Sequence, residues 1–217
     1  MGMALKAAIV PVTPFQQNCT LLYDEDTKKG VVVDPGGDLD RIQDAINKLD
    51  LTIEHIILTH GHIDHAAGAD ELREILKVKI TGPHKADKFL LDGLVSQGAK
   101  FGFTAGVRNV TPDRWLDEGD KVTMAGVDFD IYHCPGHSPG SVVYVNKAAG
   151  VALVGDVLFQ GSIGRTDFPY GDTEALISSV RNKLFPLGDE IVFVCGHGPA
   201  SSFGQERQTN PYVGDGA

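Results

Sequence analysis

Apolar residues along this chain follow two rhythms. Short runs rich in β-branched residues, bounded by Gly, Pro, Asn and Asp, read as strands at 8–12, 20–23 and 30–34, with turns at 24–30 and at Pro35-Gly36-Gly37. Leu39, Ile42, Ala45, Ile46 and Leu49 recur at the helical period, which predicts a helix over 39–49. The mainly apolar run at 53–58 has the character of a buried strand. Helix is expected again at 66–76, with Leu72, Ile75 and Leu76 on one face, and a short strand at 78–81. Residues 84–94 read as helix. Residues 96–115, Gly-containing and weakly periodic, read as a long loop of the kind that often carries function. Hairpins are expected at 122–133, turning near Ala125-Gly126, and at 142–154, turning across 146–150. A helix over 173–184 and a last strand at 191–194 precede a polar tail from Ser202. Two strand-rich blocks with intervening helices make an α+β chain. No repeat or linker divides it, so 1–217 reads as one domain.

Charge narrows the function. Lys and Arg number 19 against 29 Asp and Glu, a net charge of -10, so a diffuse phosphate-binding surface and a nucleic-acid partner are not expected. No apolar run is long enough to span a bilayer, and no targeting segment is visible, so no membrane partner is expected. Cys19, Cys134 and Cys195 are widely spaced, odd in number and form no Cys-x-x-Cys pair. That fits a reducing, cytoplasmic compartment, with each thiol a buried packing residue.

One cluster concentrates the chemistry: Thr59-His60-Gly61-His62-Ile63-Asp64-His65, between an apolar strand and a helix. Four metal-competent side chains lie within six positions, and a loop at such a junction can aim them at one spot. Imidazole and carboxylate suit zinc, iron or manganese, and the lack of a thiolate argues against a closed structural zinc site. Further candidates stand at later strand ends. His137 lies in Pro135-Gly136-His137-Ser138-Pro139-Gly140, Asp156 follows the run 151–155, and His197 sits in Gly196-His197-Gly198. Each taken singly reads as a turn residue; together they form a specific pattern.

The His-x-His-x-Asp-His motif followed by His137, Asp156 and His197 resembles the metallo-β-lactamase-fold superfamily. Within it the chain is most similar to short type II glyoxalases (hydroxyacylglutathione hydrolases). The supporting stretches are Asp34-Pro35-Gly36-Gly37, Gly155-Asp156-Val157-Leu158-Phe159 and Gly161-Ser162-Ile163-Gly164-Arg165-Thr166-Asp167. The resemblance implies a four-layer αββα sandwich and two divalent metal ions, with zinc the first expectation. It places His60, His62 and His137 on one ion, Asp64, His65 and His197 on the other, and Asp156 between them. Asp64 and Asp156 would then border the reacting water. Asp34 would orient the metal loop by hydrogen bonds, and Arg165 would contact a glutathione carboxylate or else pair with Asp167 or Asp172. The implied reaction is hydrolysis of a thioester such as S-lactoylglutathione.

Two departures weaken the glutathione part. Full-length type II glyoxalases carry a C-terminal helical domain that helps hold glutathione, whereas only 20 residues follow His197 here (217 - 197), and that domain is not expected. Such enzymes often place Tyr two positions after the last His; here it is Pro199. Two other activities share the pattern. A persulfide dioxygenase would use one iron on His60, His137 and Asp156, and a lactonase or esterase would keep both ions with a different pocket. Oligomeric state is not set by these features.

Overall fold

A computed structural model describes residues 5–103 and 106–217. Five strands form the first sheet: β1 (Leu5–Val12), β2 (Gln17–Asp24), β3 (Lys29–Val33), β4 (Thr52–Ile57) and β5 (Lys79–Thr81), in that spatial order. The β1–β2 and β2–β3 pairs are antiparallel, and the β3–β4 and β4–β5 pairs are parallel. The crossovers are helical: α1 (Leu39–Leu49) joins β3 to β4, and α2 (Ile63–Ala66) with α3 (Ala69–Leu76) joins β4 to β5.

The second sheet contains β6 (Lys121–Met124), β7 (Val127–His133), β8 (Val142–Asn146), β9 (Val151–Gly155), β12 (Val192–Cys195) and β13 (Ser201–Ser202). Its order is β13-β12-β9-β8-β7-β6, with only β9 and β12 parallel. A small hairpin of β10 (Leu158–Phe159) and β11 (Ser162–Ile163) lies between β9 and α6 (Thr173–Ser179).

Period-two alternation explains why the central strands carry apolar residues on both faces over their buried stretches. In β2, β3 and β4, Leu21, Val32 and Ile56 pack toward Ile42, Ile46 and Leu72 of the helices. Their neighbours Leu22, Val31, Val33 and Ile57 instead meet Phe129, Ile131, Val142, Tyr144 and Leu153 of the second sheet. On that sheet's far face Val143, Val145 and Val154 pack on Leu176 and on Phe203 of α7 (Phe203–Thr209). Strands covered on both faces need apolar residues at every position. The layers are therefore helix, sheet, sheet, helix: the expected αββα sandwich.

Three elements differ from the pattern-based reading. The segment 96–115 is not loop throughout: α4 (Lys88–Asp92) is followed by α5 (Leu94–Phe101), while 104 and 105 lie outside the described residues. Gly98 reads as a breaker, but a Cβ there would stand 2.3 Å from the Phe103 carbonyl oxygen, so the packing requires glycine inside this helix. The polar tail contains α7, capped by Ser202, whose Oγ accepts from the Gln205 N–H. The helix over 66–76 is split at Gly68, whose N–H donates to the Pro35 carbonyl at 3.0 Å.

Candidate metal centre

All the candidate ligands follow the C-terminal ends of strands on one edge of the sandwich. The chain leaves β4, forms the His60-Gly61-His62 loop and enters α2 at Ile63. His137 lies between β7 and β8, Asp156 directly after β9, and His197 two residues after β12. Because β9 and β12 are parallel neighbours, Gly155 pairs with Cys195 and delivers Asp156 and His197 side by side. The two sheets are tied together here: the Val142 N–H donates to the Thr59 carbonyl, and the Asn18 N–H to that of Gly196.

The seven residues converge as two groups around one carboxylate. His62 Nδ1 lies 3.0 Å from His60 Nε2 and 2.9 Å from His137 Nε2. His197 Nε2 is 3.2 Å, and His65 Nε2 3.8 Å, from Asp64 Oδ2. Asp156 reaches both groups, with Oδ2 3.5 Å from His137 Nε2 and from His197 Nε2, and Oδ1 3.3 Å from His65 Nε2. Gly196 is obligatory in this crowding, since a Cβ would sit 2.0 Å from Asp156 Oδ1.

Hydrogen bonds on the far side of the rings fix which nitrogen faces inward. Thr59 donates its hydroxyl proton to Asp34 Oδ2 at 2.6 Å, so its oxygen is left to accept from His60 Nδ1 at 3.0 Å. His65 Nδ1 donates to Asp34 Oδ2 at 2.9 Å, and His137 Nδ1 to the Arg165 carbonyl at 2.9 Å. Each of these rings therefore turns its Nε2 to the centre, and in neutral His60 and His137 that nitrogen carries no proton. Asp34 also accepts the Thr59 N–H at 2.8 Å. Its carboxylate is committed to the loop, although its position beside His60 and His65 would otherwise suit an ion.

Electrostatics divides the histidines. Burial, reinforced by neighbouring imidazoles, holds His60 well below its ordinary range, and burial with His137 takes His62 down to about 3. Burial also lowers His137, against the pull of Asp156. These three are neutral near pH 7, the form that binds cations. For His65 and His197 burial acts the same way but is outweighed, by Asp156 and Asp64 at His65 and by Asp64 and Asp156 at His197, so both are raised. Burial works against ionisation of Asp156 and Asp64 too, yet the facing histidines hold both carboxyls below their ordinary range.

A cation fits this donor set. His65 Nε2 and Asp156 Oδ1 are buried without a hydrogen-bond partner, facing one another across the centre. Buried polar atoms left unpaired are costly, so two orphans among convergent nitrogen and oxygen donors mark a place for a bound ion. His60, His62 and His137 form one compact donor group and Asp64, His65 and His197 another.

Arg165 lies at the rim. Its guanidinium makes a two-pronged pair with Asp167, not Asp172, at 2.6 and 2.5 Å and sits 4.7 Å over the Phe168 ring. Asp172 instead caps α6 by accepting from the Ala175 N–H. His84 and His133 stack on one another, 4.0 Å between ring centroids, outside the ligand groups. Cys19, Cys134 and Cys195 are all free and buried.

Two residues escaped the sequence reading. Asp87 is fully buried and accepts from the Gly61 N–H, the Ser138 hydroxyl and the Gly140 N–H at 2.8, 2.7 and 2.6 Å. It thereby clamps the loop of His60 and His62 to the loop of His137. Nothing in His84-Lys85-Ala86-Asp87 announces this, because the partners, two backbone N–H groups and one hydroxyl, are remote in sequence. Tyr170 reaches His62 Nε2 with its hydroxyl at 2.8 Å, three positions past the Gly161–Asp167 stretch that carried the resemblance.

Known proteins resemble this chain over nearly its whole length. Haemophilus influenzae hydroxyacylglutathione hydrolase GloC is 46% identical over 94% of this chain and 96% of its own length. Among solved structures, the BLEG-1 B3 metallo-beta-lactamase superposes with a TM-score of 0.86 at 35% identity, covering 97% of this chain and 99% of that one. TTHA1623 in a di-iron-bound form gives 0.83 at 31% identity, over 94% and 99%. Residues 12–197, from the last residue of β1 to the last candidate ligand, match the metallo-beta-lactamase superfamily, and the chain belongs to that family.

Proposed function

We propose that this chain is a metal-dependent hydrolase of thioesters, with a glutathione-derived thioester such as S-lactoylglutathione as the leading substrate. The observation that carries the reading is the placement of two donor groups on either side of the single carboxylate of Asp156. Likeness to a hydroxyacylglutathione hydrolase over nearly the whole of both chains supports the substrate class. His60, His62 and His137 would hold one divalent ion, Asp64, His65 and His197 a second, with Asp156 serving both. Zinc is the first expectation for these donors, and the di-iron-bound relative favours testing iron beside it. Ions bound there supply a water of lowered pKa and polarisation of a carbonyl.

The chain's own residues do the rest. Asp34 aims His65 directly and His60 through Thr59, and the Arg165 carbonyl aims His137. Asp64 is kept ionised by His65 and His197, so it serves as a ligand and proton acceptor, not as an acid. A thiolate leaves without a proton donor, so the reaction needs no general acid. Arg165, exposed at the rim, would exchange its pairing with Asp167 for a carboxylate of the substrate.

The test is metal content and S-lactoylglutathione turnover on one sample purified without added metal. Two ions per chain with turnover supports the reading. Two ions without turnover discards the substrate and sends the search to a panel of lactones and esters. One iron per chain with oxygen uptake on glutathione persulfide would replace the hydrolase by a dioxygenase. A single-iron enzyme would leave the Asp64–His65–His197 group empty, so the number of ions per chain separates the two readings.

A further inference from the structure

Three of the inward-facing rings are set by residues of the sandwich itself: His60 by Thr59, His65 by Asp34, and His137 by the Arg165 carbonyl. His62 differs. Its Nδ1 faces the centre, and its Nε2 meets only the hydroxyl of Tyr170, at 2.8 Å. That hydroxyl is held in place by aromatic packing. The Tyr170 ring stacks on Phe168, 5.4 Å between centroids and 12° between planes, and takes the edge of Phe89 at 5.2 Å. Phe168 in turn lies 4.9 Å from the His62 ring. An imidazole with one nitrogen bound to a cation carries its proton on the other, and the partner accepting that proton fixes the ring's tautomer and direction.

We propose that Tyr170 is a positioning residue for the metal centre: its hydroxyl accepts the Nε2 proton of His62 and so commits Nδ1 to the ion shared with His60 and His137. This rests on the reading that those three histidines hold a metal. Phe89 and Phe168 hold the phenol, so the rim segment that approaches the substrate also sets the ligand field of one ion. The other donor group, Asp64, His65 and His197, has no contact with Tyr170 among the described residues and should not respond to it.

Tyr170→Phe keeps the stacked ring and removes only the hydroxyl. Zinc-loaded wild type and variant would be titrated with a chelator of graded strength, with the released metal counted. The expected result is a dissociation constant raised about 10- to 100-fold for one of the two ions, the other changing less than about 2-fold. The metal-free forms should melt together. Imidazole nitrogen spectra should show a slowly exchanging His62 Nε2 proton in the zinc-loaded wild type and its loss of protection in the variant. Equal release of both ions overturns the proposal. So does equal weakening of both sites with a lower melting temperature of the metal-free form, which would make Tyr170 a general packing residue. A raised KM for S-lactoylglutathione with unchanged metal release also overturns it, since the phenol would then serve the substrate. If wild type itself holds no metal on His60, His62 and His137, the underlying site assignment falls, a result separate from each of these.

Discussion

Asp87 offers a test in which stability and metal retention separate. Burial pushes its carboxyl up to about 6, although Ser138, Gly61 and Gly140 all donate to it. An unfolded Asp titrates near 3.9, so keeping this carboxylate ionised in the fold costs about 3 kcal/mol. Asp87→Asn removes that charge, but all three partners are donors and an amide has a single acceptor oxygen. The Ser138 hydroxyl can turn and accept; one of the two backbone N–H groups is left facing an NH2. An orphaned buried donor costs about 1–3 kcal/mol. The two effects offset, so the variant should fold about as stably as wild type near neutral pH while its ligand loops lose their shared anchor. Linkage then separates the proteins. A carboxyl raised in the fold binds its proton more tightly there than in the unfolded chain. Its contribution is therefore fully present below about pH 3.9 and lost as pH rises through about 6. From about pH 7.5 down to about pH 5, wild type should gain about 1.4 kcal/mol on the variant. Urea unfolding of metal-free proteins at both pH values measures this, and every other titrating group cancels in the difference. A gap that does not change with pH would refute the raised carboxyl. Metal retention equal to wild type in Asp87→Asn would refute the clamp.

Other outcomes follow from the same geometry. His62→Ala and Asp156→Ala should each lower metal content and thioesterase activity together, and a metal-poor variant with full activity would remove the metal from the reaction. Gly196→Ala places a methyl 2.0 Å from the position of Asp156 Oδ1, so it should abolish metal binding at one site or both while circular dichroism remains native. Arg165→Ala breaks a solvent-screened ion pair that contributes little to stability, so the melting temperature should barely move. Its KM for glutathione thioesters should rise more than for small uncharged ones, and equal effects would withdraw Arg165 from substrate binding. Chelation should lower the melting temperature and zinc should restore it, because an ion bound only by the fold stabilises it by mass action.

The legibility of this chain follows the range of its interactions. Strands β3, β4 and β8 were readable because their apolar runs, 31–33, 56–57 and 142–145, are buried on both faces. Helix α1 was readable from its period alone. Of the ligands, four sit within six residues and the rest beside Gly and Pro at strand ends, so their spacing was visible in the sequence. Helix α5 was not, because its Gly98 answers to a close approach by Phe103 that no local pattern records. Asp87 and Tyr170 were missed for a related reason: each serves a residue tens of positions away, and one carboxylate or phenol among many carries no spacing of its own. Arg165 was identified, but its pairing with Asp167 over Asp172 depended on the turn that places Asp172 at the start of α6.

The ligands are divided between the sheets: His60, His62, Asp64 and His65 follow the first, and His137, Asp156 and His197 follow the second. A nascent chain therefore displays the histidine-rich loop well before its counterparts have been synthesised. During that interval the loop holds four of the seven candidate donors, and neither group beside Asp156 is complete. The centre closes only when β12 has paired with β9 and carried His197 into place. The complete donor set therefore exists only once residue 197 has been synthesised and β12 lies beside β9.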